Sequence, residues 1–162
     1  MTLRRSVVIK DFVPADLDSL RQVIHATIDT SYAGIYSPRA IAHFHGHHSD
    51  ERVISRMCDG RVLVIARDGE LLGTGSLVGD EIEGVFVRPD IQKSGLGAFV
   101  MDELEAIATS VGLRSVELSA SLPSVGFYEH RDYHMLEARS VDVGEGERLD
   151  YWMARKCLRG ES

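Results

Sequence analysis

The sequence predicts one α+β domain spanning residues 1–162, built on a mixed, mostly antiparallel sheet flanked by helices. Three observations carry this expectation. Apolar residues recur at helical spacing through the first third of the chain, from Leu17 to Met57. After Gly60 the period becomes that of strands, and Asp68-Gly69 and Gly79-Asp80 punctuate it as tight turns of an antiparallel meander. A long amphipathic segment then separates two strand-like runs, which makes those runs a parallel pair joined by a right-handed crossover.

Taken in order, Ser6 to Phe12 reads as a first strand with Val7 and Ile9 on one face. Pro14-Ala15-Asp16-Leu17 opens a helix that runs to about Thr30, with Leu17, Leu20, Ile24 and Ile28 forming its apolar stripe. A loop with Tyr32 and Tyr36 follows. Ser37 before Pro38 supplies a cap and a first helical position. The helix so started carries Ile41 and Phe44 and is expected to break near Gly46. A further short helical segment runs from Ser49 to Gly60. Arg61 to Arg67, Leu71 to Val78 and Glu81 to Val87 are the three meander strands. The helix from Gly95 to Val111 carries Leu96, Val100, Leu104, Ile107 and Val111 on one face and stops at Gly112. Leu113 to Ala120 is a strand and Ser124 to His130 a short helix. Two strands joined at Gly144-Glu145-Gly146 end the chain. The expected order is β-α-α-β-β-β-α-β-α-β-β.

Composition narrows the functional classes. At 44% hydrophobic and 27% charged, the chain can build a core and is not of the disordered type. The net charge of -7 argues against general nucleic-acid binding. The apolar runs are far shorter than a membrane span, and Met1-Thr2-Leu3-Arg4-Arg5 is followed by no long apolar segment of a signal peptide. Cys58 and Cys157 form no motif and read as reduced thiols of a cytoplasmic protein.

One stretch, Val85 to Gly97, organises the functional reading. Val85-Phe86-Val87 is a buried strand, Pro89 ends it, and Gln92-Lys93-Ser94-Gly95-Leu96-Gly97 leads into the long helix. A helix N-terminus approached through a small-residue turn is an anion site. Neither the dinucleotide pattern G-x-G-x-x-G nor a Walker A motif is present.

The segment Gln92 to Gly97 resembles the Q/R-x-x-G-x-G/A signature of the GCN5-related N-acetyltransferases. Phe127-Tyr128-Glu129-His130-Arg131-Asp132-Tyr133 is similar to that family's F-Y-E-x-x-G-[FY] segment, with Asp132 at the usual glycine position. Asp tolerates a left-handed backbone, so the turn can survive the change. The element order is also similar from Val7 to Lys156.

The resemblance implies acetyl-CoA as cosubstrate, with Gln92, Lys93, Ser94, Gly95, Leu96 and Gly97 around its pyrophosphate and Val85, Phe86 and Val87 along its pantetheine arm. It implies Tyr128 as the acid that protonates the departing thiolate. The reference pKa values, about 10 for tyrosine and about 8.5 for a thiol, make that transfer feasible without a large shift. Glu81 and Glu83, two apart on one strand, are expected to share a face with Val85 and Val87, and Glu83 is the preferred base, with Glu81 or water as alternatives. Ser121 and Ser124 either bind the cofactor arm or cap the next helix. Tyr32, Tyr36 and His43 are acceptor-site candidates, because in the family the first helices wall that site.

The reading is therefore an enzyme that moves acetyl directly to a primary amine of a small-molecule or peptide acceptor, with no nucleic-acid or membrane partner. Dimerisation through the last strands is common in the family, and Tyr151 and Trp152 read as core or dimer surface. Two other readings stay open: a non-catalytic acyl-CoA sensor, and a metal-binding protein using His43, His45, His47 and His48. Gly46 inside that cluster and the lack of a distant ligand set favour a solvated loop over a metal site.

Overall fold

The structure, a computed structural model, describes residues 7–158; Ser6 and the first five residues lie outside them. Seven strands form one sheet: β1 Val8–Asp11, β2 Arg61–Arg67, β3 Glu70–Val78, β4 Glu81–Val87, β5 Ser115–Ser121, β6 His134–Gly144 and β7 Glu147–Cys157. The helices are α1 Leu17–Ser31, α2 Pro38–His47, α3 Asp50–Asp59, α4 Leu96–Ser110 and α5 Val125–Glu129. Three helices, not the two of the expected order, therefore stand between β1 and β2. The sheet order is β1-β2-β3-β4-β5-β7-β6, with β4 and β5 parallel and every other neighbouring pair antiparallel.

Local chemistry explains the elements. Asp68 and Gly69 both take positive φ, 52° and 79°, as the tight β2–β3 turn requires. The Ser37 side chain accepts from Ala40 N–H at 3.2 Å and Ser49 caps α3 in the same way at 3.4 Å. Gly46 does not break α2, which continues through His47. A lone glycine costs a helix only about 1 kcal/mol, and the capped start and the packing of α2 outweigh it.

Two cores lie on opposite faces of the sheet. On one, Leu96, Val100, Met101, Leu104 and Ala108 of α4 pack with Leu63, Ile65, Leu72, Ile82 and Leu118. On the other, Leu20, Val23, Ile24 and Ile28 of α1 pack with Val53, Val62, Val64 and Phe86. The β6–β7 hairpin reaches over α2, where Arg39 lies 3.7 Å from Glu145 and 3.9 Å from Glu147.

The site is made where the sheet opens. β4 and β5 pair only at Glu81–Glu117 and Ile82–Leu118, then part. At the same place β4 is bulged. Its register against β3 shifts between Thr74 and Ser76, and Gly84 has φ +62°. One extra residue inverts the side-chain parity beyond it. Ile82, Val85 and Val87 consequently pack on the α4 core, and Phe86 on the α1 core. The expectation that Glu81 and Glu83 share a face with Val85 and Val87 is thus corrected: the two carboxylates lie on the opposite side, facing α2 and α3.

Candidate active site

A cleft of about 250 Å³ opens between the parted strands. β4 contributes Glu81 through Phe86, and β5 contributes Leu118, Ser119 and Ser121. Tyr32, His43, Phe44, His47 and His48 form the helical wall, and Ser124, Tyr128, Val141, Leu149 and Tyr151 close the far side. Tyr32, His43, Ser121, Ser124, Tyr128, Glu81, Glu83, Val85 and Phe86 therefore all line one cleft.

Tyr36 does not line the cleft. Its hydroxyl donates to Asp150 O at 2.8 Å and accepts from Leu122 N–H at 2.9 Å. Burial pushes its phenol up to about 12. The acceptor-site expectation for Tyr36 is corrected: it ties the α1–α2 loop to β7 and the turn before α5. Its ring lies edge-on to Phe44 at 5.0 Å and to Tyr32 at 5.4 Å.

Tyr128 is buried, 7% exposed, and no hydrogen bond to its hydroxyl is made among the described residues. Burial, with Tyr32 close by, pushes its phenol well above the usual tyrosine value. The transfer was expected to need no large shift; enclosure in the core makes the shift large. Two backbone bonds hold the residue, Arg131 N–H and Tyr133 N–H both donating to Tyr128 O at 2.9 and 3.0 Å. Asp132 takes φ +72°, so it does occupy a left-handed position. Ser121 and Ser124 share a hydroxyl contact at 2.8 Å, and the Ser124 hydroxyl also donates to Ser121 O.

Glu83 is held by a residue that periodicity did not single out. Arg56 of α3 is 5% exposed. Its Nε donates to Glu83 Oε1 at 3.1 Å, and its Nη2 donates to His47 O and His48 Nδ1, both at 3.0 Å. A Cβ on Gly84 would stand 2.8 Å from Arg56 Nη1, so the guanidinium is pressed against the bulge. His48 is thereby an acceptor at Nδ1, and burial beside Arg56 holds its imidazole well below the usual value. His47 is lowered for the same reasons, with Arg52 adding to them. Glu81 is different: burial and the charges of Glu83, Asp80 and Glu117 push its carboxyl up. The sequence signal for Arg56 was Gly84, since a glycine inside a strand marks a bulge or a close approach.

The histidines do not act as one group. His43 and His47 stack at 6.5 Å along the cleft, while His45 turns to α1, bonding Asp29 at 2.7 Å and meeting the His25 ring at 4.3 Å. No group of three or more His, Cys, Asp or Glu side chains among the described residues is arranged to hold a metal ion.

The glycine turn lies at the end of β4, outside the cleft lining. Lys93 and Gly95 have φ +66° and +91°, and α4 starts at Leu96. Nothing stands within 4 Å of a Cβ on Gly95, so this glycine is required by its backbone angle and leaves open space before the helix. Gly97 is close to Phe127, which a Cβ would approach at 3.2 Å. The Gln92 side chain donates to Val87 O at 3.0 Å and Ser31 Oγ at 3.3 Å, bracing the turn against β4 and α1.

The family model described as "Acetyltransferase (GNAT) family" matches residues 27–133, which include β4, the turn, α4, β5 and Tyr128. The chain belongs to the GNAT family. Solved structures share the GNAT fold. A GCN5-related N-acetyltransferase from Rhodopseudomonas palustris matches with TM-score 0.83 at 23% identity, over 94% of this chain and 96% of its own. The PaiA N-acetyltransferase of Thermoplasma acidophilum, in complex with coenzyme A, matches with TM-score 0.70 at 21% identity, over 94% and 99%. The yncA protein of Salmonella typhimurium, solved with its cofactor acetyl-CoA, matches with TM-score 0.66 at 18% identity, over 97% and 96%. No curated protein sequence matches the chain. No helix among the described residues of this GNAT protein is long and apolar enough to cross a membrane.

Proposed function

We propose that this GNAT protein is an acetyl-CoA-dependent N-acetyltransferase that moves acetyl directly to a primary amine. The observation that carries the proposal is the parting of β4 from β5 beside a left-handed turn that opens α4. An extended pantetheine arm can add to the free edge of β4 as a further strand. Its pyrophosphate would then meet the turn from Lys93 to Gly97, where the N–H groups and dipole at the start of α4 favour negative charge. The open space at Gly95 suits that placement.

The amine nitrogen attacks the thioester carbon, an oxyanion develops, the C–S bond breaks and CoA leaves as its thiol. The nitrogen's proton passes to a carboxylate or through water to solvent. Glu83, oriented by Arg56, is the proposed acceptor of that proton, with Glu81 the alternative. Tyr128 retains its proton at all physiological pH. A phenol so raised is a weaker acid than a thiol, so it acts first as a hydrogen-bond donor to the developing thiolate and completes transfer only as charge localises on sulfur. Holding amine and thioester together supplies much of the remaining acceleration.

The test is thiol release from acetyl-CoA across a panel of amine classes. Release that depends on an amine, with an acetylated product of matching mass, supports the proposal. Tight acetyl-CoA binding with no release for any amine would instead make the protein a non-catalytic binding module.

A further inference from the structure

We infer that Glu105 of α4 is a positioning residue for Tyr128, acting through the two residues that hold the Tyr128 backbone. The inference rests on the acetyl transfer proposed above and concerns a side chain that does not itself line the cleft.

Nothing at its hydroxyl end fixes Tyr128, whose phenol makes no hydrogen bond among the described residues. Its place is set by its backbone and by the rings beside it. Tyr128 O accepts from Arg131 N–H at 2.9 Å and from Tyr133 N–H at 3.0 Å. The ring lies edge-on to Tyr133 at 5.6 Å and to Phe127 at 5.1 Å. Arg131 and Tyr133 are also the two residues of this turn whose side chains Glu105 grips. Glu105 Oε2 accepts from Tyr133 Oη at 2.8 Å, and Oε1 accepts from Arg131 Nη2 at 3.1 Å. Lys156 of β7 donates to the same Oε1 at 2.8 Å, with its Nζ 5.6 Å from the centre of the Tyr133 ring. Arg131 has a second carboxylate partner in Asp102, at 2.8 Å, but the Tyr133 hydroxyl has Glu105 alone among the described residues. One carboxylate thus ties α4 and β7 to both residues that hold Tyr128.

The turn requires such a grip. Asp132, between Arg131 and Tyr133, sits at φ +72°. A left-handed backbone is unfavourable for a residue with a side chain and persists where its surroundings over-determine it. Here the surroundings are well sheltered: Tyr133 is 2% exposed and the Glu105 side chain 12%. Water competes poorly for charge-assisted bonds in such a place, so they are stiff. Loosening Glu105 frees Tyr133 and the turn together, and a shift of about 1 Å in a reacting group is enough to slow a reaction.

The experiment is a double-mutant cycle read in kcat. Glu105→Gln and Tyr133→Phe each keep the packed shape and weaken one contact of the grip. Each should lower kcat by roughly threefold to tenfold, less than Tyr128→Phe itself, with the KM for acetyl-CoA nearly unchanged. In the Tyr128→Phe background neither should lower kcat further, because the group they position is gone. An equal loss in both backgrounds would overturn the inference, since that pattern belongs to a purely structural residue. So would a kcat left unchanged by both single substitutions. If no amine is acetylated, the proposed function fails, and the place of Tyr128 is then read by nuclear magnetic resonance on protein carrying isotope-labelled tyrosine. The signal missing from Tyr128→Phe identifies the ring. That signal should move or broaden in Glu105→Gln, and a signal that stays in place sinks the inference.

Discussion

Tyr128 and Arg56 do different kinds of work from similarly buried positions. Tyr128 lines the cleft with no hydrogen bond to its hydroxyl among the described residues, whereas Arg56 is bonded to Glu83, His47 and His48. Tyr128→Phe removes one oxygen and leaves the ring packed against Tyr133, 5.6 Å away. It should lower kcat by roughly 10²-fold, the lower end for acid catalysis, with the KM for acetyl-CoA nearly unchanged. Steady-state kinetics check this, and an unchanged kcat would remove Tyr128 from the chemistry. Glu105 is a third, partly buried case. It accepts from Tyr133 Oη and Lys156 Nζ at 2.8 Å and from Arg131 Nη2 at 3.1 Å, and its side chain is 12% exposed. Glu105→Ala would leave Arg131 and Lys156 without this partner, so urea denaturation should register a loss of about 3 kcal/mol. Glu105→Gln, which keeps an acceptor, should lose less.

At the scale of elements, β4 decides the site. Its bulge sends Val85 and Val87 to one core and leaves Glu81 and Glu83 on the other side, and it gives Arg56 room beneath Gly84. Gly84→Ala must place a side chain at φ +62° and move a guanidinium away from 2.8 Å. We expect a destabilisation of about 1–3 kcal/mol by denaturant titration, with turnover falling as Glu83 loses its orientation. The turn before α4 makes a complementary demand. Gly95→Val puts a β-branched residue at φ +91° and fills the space before the helix. Acetyl-CoA binding measured by calorimetry should be lost while the fold, checked by circular dichroism, is kept; retained affinity would sink the pyrophosphate cradle.

Across the whole molecule, the helical layer over the cleft carries a pH dependence. His25, His47 and His48 are all held below their usual value of 6.5, chiefly by burial. The folded state thus favours the neutral rings, while the unfolded chain takes up protons once pH falls below about 6.5. Their contribution is present above that value and is lost as pH falls through it toward their folded values. The thermal midpoint should therefore drop between neutral and mildly acidic pH, and His48→Gln should flatten that drop. An unaltered slope in the variant would show that the protons go elsewhere.

The sequence by itself determined the order of strands and long helices, the parallel β4–β5 pair and the glycine-containing start of α4, because these are written in local signals. Periodicity, Asp-Gly turns and a Gly-containing helix start need only neighbouring residues to be read. It did not determine where Glu81 and Glu83 point, since one bulged residue inverts every side chain beyond it and Gly84 could be read equally as a bulge or a plain strand glycine. Nor did it give Arg56, because an arginine on an amphipathic helix looks solvated until the partners that bury it are brought from β4 and α2. Tyr36 was misplaced for the same reason: its partners are the carbonyl of Asp150 and the N–H of Leu122, more than eighty residues away. Only the tertiary structure decided these, because each depends on which distant charges and backbone groups meet where β4 and β5 part.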